Sequence, residues 1–133
     1  MVYGPKQDVN RFLPTIIKRC IKNKKFPSSK GDQLRDFLYV DDAAEAIIKS
    51  LTNKKAIGHI INIGSGKPKI IKNVIEKVKK ISKGGKPQYG DFKLRKFDIP
   101  KLFPNVEKAR NKIKWKPKVS FEKGIRKTIN SYR

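Results

Sequence analysis

Apolar residues recur along this 133-residue chain at helical spacing in five places, separated by short runs that read as strands or turns. Phe12/Leu13, Ile16/Ile17 and Cys20/Ile21 repeat every four positions, which makes one helical face apolar and leaves Lys18, Arg19 and Lys22 outside it. Pro14 has no amide hydrogen and belongs in the first turn, where none is needed. Asn23-Lys24-Lys25 ends this helix, and residues 26–33 read as a polar turn around Gly31.

Residues 35–40 read as a short strand that runs into a second helix. Asp42 with Glu45 forms its expected capping box, and Ala43/Ala44, Ile47/Ile48 and Leu51 its expected buried face. The alanines predict close packing on a neighbour. Residues 59–63 read as a strand, and Gly64-Ser65-Gly66 as a tight turn. A third helix carries Ile71, Val74, Ile75, Val78 and Ile81 on one side, and Gly84-Gly85 breaks it. Residues 88–103 read as irregular or extended. Asn105 caps a short helix with Val106, Ala109 and Ile113, and Trp115-Lys116-Pro117 turns the chain. Ser120 caps a last helix with Phe121, Ile125, Ile129 and Tyr132 inward. The pattern is α/β and helix-rich, with too few strands to form a sheet by themselves. Buried strand backbone must find partners, so the chain reads as part of a larger fold.

Charge changes this picture less than its size suggests. The formal net charge is +23, with 34 Lys and Arg against 11 Asp and Glu. Such a balance suits nucleic acid, an acidic membrane surface or a small anion. Yet the lysines alternate with isoleucine along amphipathic segments, with no basic tail and no interleaved aromatics, which disfavours specific nucleic-acid binding. Cys20 and His59 are each alone of their kind, so no disulfide and no His/Cys metal site is expected. Cys20 reads as a buried, inert thiol and His59 as structural. No leader-like opening and no apolar run of the ~20 residues that span a bilayer is present, so the expectation is a cytoplasmic protein without a membrane partner.

Two motifs fail on inspection. Gly64-Ser65-Gly66-Lys67 invites a phosphate-loop reading, but Ile61 and Pro68 stand where that loop needs Gly and Ser or Thr, and Lys69 where the dinucleotide fingerprint needs its third Gly. Tyr89 and Lys93 have the Tyr-x-x-x-Lys spacing, yet Gly90 and Asp91 between them make a poor helix. Arg35 and Arg95 carry more information, because a guanidinium grips phosphate oxygens in a way an ammonium cannot.

Several segments together resemble one family. They are Val2-Tyr3-Gly4-Pro5, Arg11-Phe12-Leu13-Pro14, residues 31–42 (Gly-Asp-Gln-Leu-Arg-Asp-Phe-Leu-Tyr-Val-Asp-Asp), Asn62-Ile63-Gly64-Ser65-Gly66 and residues 115–124, which open Trp-Lys-Pro-Lys-Val-Ser. The chain is similar to the carboxyl-terminal, substrate-binding portion of extended short-chain dehydrogenases/reductases, the NAD-dependent nucleotide-sugar epimerases and dehydratases. The approach at residues 26–33 is most similar to members acting on 4-keto-6-deoxy sugars of CDP or dTDP.

The resemblance implies that Arg35 contacts the nucleotide diphosphate and that Arg95, in an Arg-x-x-Asp match with Asp98, grips it from the other side. Phe12, Leu13, Phe26, Pro27 and Ser28 would line the base and ribose. It implies one substrate-binding unit over residues 1–133. The amino-terminal Rossmann domain of roughly 160 to 170 residues, with its glycine-rich loop and catalytic Tyr-x-x-x-Lys, is missing from these residues. NAD or NADP serves the intact family enzyme and is not expected to bind this chain alone, and no catalytic residue is expected here. The family commonly has Asn before Val-Tyr-Gly-Pro, where Met1 stands. The expected partner is a nucleotide diphosphate sugar. Three readings stay open at this point: a truncated gene product, one half of a split enzyme with a separate Rossmann polypeptide, and a basic module for nucleic acid or another polyanion.

Overall fold

Three amphipathic helices make the main core of the computed structural model, which describes residues 1–93 and 96–133. Helix α1 (Phe12–Ile21) buries Leu13, Pro14, Ile16, Ile17 and Cys20, with Pro14 in the first turn as expected. Asn23, at φ 47°, takes the left-handed conformation just past its end. Strand β2 (Lys25–Ser28) follows, so the first half of the segment read as a polar turn is extended. It pairs in parallel with β6 (Lys86–Tyr89), in the register Lys25 to Lys86 through Ser28 to Tyr89. Pro27 and Pro87 hid both strands, because proline cannot donate to a ladder and is confined to edges.

Helix α3 (Ile71–Ser82) packs across α1 through Val74, Ile75 and Val78, and α5 (Phe121–Asn130) closes the cluster with Ile125 and Ile129. Ser120 caps α5, accepting from the Lys123 amide at 3.3 Å. Gly85 must be glycine: its φ is +105°, and a Cβ there would lie 2.5 Å from Cys20 Sγ. Burial pushes the Cys20 thiol up to about 11, against a smaller opposing pull from Lys79. So high a value leaves about a hundredfold less thiolate at pH 8 than a free cysteine has. A thiol reagent at pH 8 should therefore label the native chain at least about a hundredfold more slowly than the urea-unfolded chain. Equal rates would mean that the contact between α1 and Gly85 is open.

Residues 35–40 do not form one strand, and Val40 already begins a helix. They split into β3 (Leu34–Arg35) and β4 (Leu38–Tyr39), broken at Asp36 and Phe37. Strand β1 (Val2–Tyr3) runs parallel to β4, with Val2 beside Leu38. Strand β3 lies between antiparallel β5 (Lys69–Ile70) and parallel β7 (Lys101–Leu102). Asp36 is 2% exposed, and both its oxygens are taken by the Ser65 amide and hydroxyl, which ties the Gly64–Gly66 turn beneath β3.

Helix α2 (Val40–Thr52) departs most from the pattern. Tyr39 is its N-cap and no side chain caps it, so Asp42 and Glu45 form no capping box. Asp42 instead accepts the amides of Lys118 and Val119 at 2.9 and 3.0 Å, while Glu45 pairs with Lys118 and Lys49. Only Ala43 and Ala46 of its apolar residues are buried. They pack with Leu38, Ile113, Trp115 and Ala109 of α4 (Glu107–Lys112) in a second cluster, the close approach that the alanines predicted. Ile47, Ile48 and Leu51 are exposed. Residues 59–63 form no strand, for want of a neighbouring one among the described residues.

Candidate functional site

The amphipathic face of α1, the edge of β2 and the end of β3 enclose a cavity of about 540 Å³. Helical spacing places Phe12, Ile16 and Arg19 along it, since positions four and three apart share a face. Phe26, Pro27 and Ser28 form the opposite wall, with Ile71 and Phe92 completing the apolar lining and Ser29, Gln33, Arg35 and Asp98 the polar end. The size is that of ordinary small-molecule pockets, which are mostly apolar with a few fixed polar groups.

Arg35 is held firmly. Its Nη2 donates to both carboxylate oxygens of Asp98 at 3.1 and 3.0 Å, and its Nη1 to the carbonyls of Leu34 and Pro100 at 2.9 and 3.3 Å. Its side chain is 13% exposed and that of Asp98 29%. Gln33 reaches the same carboxylate at 3.4 Å and also contacts Ser29. Those four contacts engage the Nη hydrogens, so the fixed guanidinium offers the cavity its positive charge and at most its Nε–H, at little entropic cost. Arg19 is the second guanidinium of the lining and pairs with no carboxylate among the described residues.

Of the residues singled out from sequence, Phe12, Phe26, Pro27, Ser28 and Arg35 meet at this cavity. Leu13 does not: it is 3% exposed and turns toward a neighbouring hollow with Tyr3 and Phe37. Arg95 lies outside the described residues. Sequence reasoning missed Arg19 and Phe92. The α1 periodicity, carried one turn past Ile16, could have found Arg19. Phe92 sits in an irregular segment and left no comparable signal.

Tyr89 and Lys93 form no catalytic pair. Tyr89 ends β6 rather than standing on a helix, and its hydroxyl donates to Glu76 Oε1 at 2.8 Å. Burial first, and then the hydrogen bond to Glu76, push its phenol well above the usual tyrosine range, away from acid–base work near neutrality. The glycine turn does not fit a dinucleotide phosphate either. A Cβ at Gly64 would collide with Asp36 Oδ2 and Pro104 Cγ, so the space is filled, and filled partly by a carboxylate. Among the described residues no group of three or more His, Cys, Asp or Glu could hold a metal ion, and no helix is long and apolar enough to cross a membrane.

Comparison with known proteins meets this geometry. The NAD dependent epimerase/dehydratase family matches residues 1–64. A UDP-glucuronate 4-epimerase of Thermodesulfobacterium geofontis is 35% identical over 133 residues, covering 97% of this chain and 40% of that protein. UDP-glucose 4-epimerase of Thermotoga maritima, solved with UDP-glucose, has a TM-score of 0.90 at 28% identity, covering 99% of this chain and 43% of that one. dTDP-glucose 4,6-dehydratase of Bacillus anthracis, solved with NAD, has a TM-score of 0.87 at 29% identity, covering 99% and 42%.

The fold is that of the extended short-chain dehydrogenases/reductases. Within them, its first 64 residues match the NAD dependent epimerase/dehydratase family. It spans about two-fifths of the length of the relatives it matches.

Proposed function

We propose that this chain holds the nucleotide diphosphate of a nucleotide sugar, as the substrate-binding portion of an NAD(P)-dependent epimerase, dehydratase or reductase. The observation that carries the reading is Arg35, fixed by Asp98 and by two carbonyls at the polar end of an otherwise apolar cavity. A diphosphate carries about two negative charges, and charge-assisted hydrogen bonds to a guanidinium contribute about 1.5–3 kcal/mol each. Phe12, Phe26 and Pro27 offer apolar faces to the base and ribose, and the Ser28 hydroxyl can meet a base edge. The net charge of +23 favours the approach of any such anion.

In the whole family enzyme NAD(P) supplies hydride transfer at the sugar. The residues of this chain bind and orient, and none is assigned to that transfer. Calorimetric titration of the purified chain with UDP, dTDP and CDP tests the reading. Saturable binding at moderate salt is expected, with no cofactor-linked turnover of UDP-glucose by the chain alone. A folded chain that binds none of the three nucleotides, or that turns over sugar nucleotide unaided, would refute it.

A further inference from the structure

Two Lys-Pro-Lys segments, residues 67–69 and 116–118, stand far apart in sequence yet line one hollow of about 620 Å³. Neither is helical. Proline fixes its own φ and keeps the residue before it extended, so the two flanking lysines of each segment project to one side. Lys77 of α3 and Arg110 of α4 complete the basic lining. Six of the thirteen lining residues are thus Lys or Arg, against 34 of 133 in the whole chain. In the Arg35 cavity only Arg19 and Arg35 are basic. The composition of the chain does not by itself produce such a concentration.

Most of this charge lacks a counter-charge. Lys77 pairs with Glu122 at 3.0 Å and Lys118 with Glu45 at 2.7 Å. Lys67, Lys69, Arg110 and Lys116 pair with no carboxylate among the described residues. Glu122, the acid of the lining, is held through its other oxygen by Arg126 at 2.8 Å, so it does not neutralise them. Arg110 is placed by the glycine turn: its Nη2 lies 3.3 Å from where a Cβ at Gly66 would stand. With φ at +68°, that position favours glycine, and glycine leaves the guanidinium room. The hollow also reaches the start of α5, where the Phe121 and Glu122 amides have no acceptor among the described residues. Four unpaired cations around one concave space repel one another, and the cleft concentrates their field. A bound anion would offset that repulsion.

We propose that this hollow is a second anion site and takes a small molecule bearing a triphosphate. A triphosphate carries about four negative charges near neutral pH, which matches the four unpaired cations. A single phosphate would leave at least half of them uncompensated. Lys67, the residue that invited a phosphate-loop reading, contributes its side chain here, and side chains from separate segments replace a loop of amides. The half-buried Val119 and Phe121 make an apolar floor beside the lysines, suited to a nucleoside attached to the phosphates. Glu45 and Glu122 stand at the rim and close the basic surface into a pocket. A nucleic-acid strand needs a continued basic track, so the smaller ligand is favoured.

The test is isothermal titration of the 133-residue chain with inorganic tripolyphosphate, at about 0.15 M salt, where diffuse attraction is screened. Saturable one-to-one binding is expected. The double variant Arg110→Gln, Lys116→Gln should weaken it at least about tenfold. The double variant Lys24→Gln, Lys55→Gln removes the same charge at exposed positions outside the hollow and should change it less than about twofold. Tripolyphosphate should shift the amide resonances of Lys67, Lys118 and Phe121 and leave those of Phe26 and Arg35 in place. Equal losses in the two double variants would reduce the binding to the general attraction of a +23 surface and overturn the proposal. So would shifts confined to Phe26 and Arg35, or no saturable binding by a folded chain. ATP separates the two sources of the ligand. Binding tighter than tripolyphosphate, with larger shifts at Phe121, assigns a nucleoside triphosphate, and equal binding assigns an inorganic polyphosphate. A single-stranded oligonucleotide that displaces tripolyphosphate at a lower phosphate concentration would overturn the proposal in favour of a nucleic-acid strand. None of these outcomes depends on UDP entering the Arg35 cavity.

Discussion

Replacing Arg35 with alanine should weaken UDP binding by about ten- to a hundredfold, the loss expected for one charge-assisted hydrogen bond. The same change removes the partner of Asp98, which is 29% exposed at the mouth of the cavity. A carboxylate left unpaired there would face the incoming diphosphate with like charge, so Arg35→Ala should cost more than the missing contacts alone. The double variant Arg35→Ala, Asp98→Asn isolates that contribution: it should recover part of the affinity, while Asp98→Asn alone should change binding less than Arg35→Ala. Isothermal titration at fixed salt measures all three. Equal affinities in wild type and Arg35→Ala would show that the guanidinium serves only the joint between β3 and β7. Arg35→Lys should recover little, because an ammonium cannot span the positions held by Nη1 and Nη2.

Trp115→Ala should cost about 3–5 kcal/mol of stability, the usual range for removing a large buried aromatic. Trp115 is 1% exposed and fills the space left by Ala43, Ala46 and Ala109. Without it, the second cluster has only Leu38 and Ile113 as large, fully buried side chains. Its Nε1 hydrogen has no hydrogen-bond acceptor among the described residues, so Trp115→Phe gives up volume but no polar contact and should cost no more than about half as much. Urea unfolding followed by circular dichroism suits these variants, since Trp115 is the only tryptophan and its fluorescence disappears with it. A small effect for Trp115→Ala would mean that α2 is held by Asp42 and its two amide partners rather than by packing. With total stabilities of about 5–15 kcal/mol typical for a domain, the expected loss is large enough to expose the chain to partial unfolding.

Helices α1, α3 and α5 were legible from periodicity because each buries one apolar face in the same cluster. An apolar stripe at helical spacing has few other ways to leave water. The Ser120 cap, the close packing expected of the small Ala43 and the emptiness of the phosphate-loop reading were legible for the same reason: each depends on neighbours within a few residues or on the size of one side chain, whereas Ala44 is exposed and Trp115 was not foreseen as the neighbour. Of the residues that line the cavity, Phe12, Phe26 to Ser28 and Arg35 were singled out through the family resemblance, Arg35 also for its chemistry among so many lysines.

Relations between distant residues emerged only on folding. Asp42 looked like a local cap, yet its acceptors are used 76 and 77 residues away, where the amides of Lys118 and Val119 need them more. Arg35 meets Asp98 across 63 residues, and no spacing rule reports such a convergence. Strand β2 exists because β6 lies beside it, and residues 59–63 are not a strand because no strand of the described residues does. Apolar pattern states which side chains seek cover but not what covers them. For that reason the order of residues was enough for the helices and the family resemblance, while strand pairing, the shape of the cavity and the bare stripe on α2 depend on how the chain folds around itself.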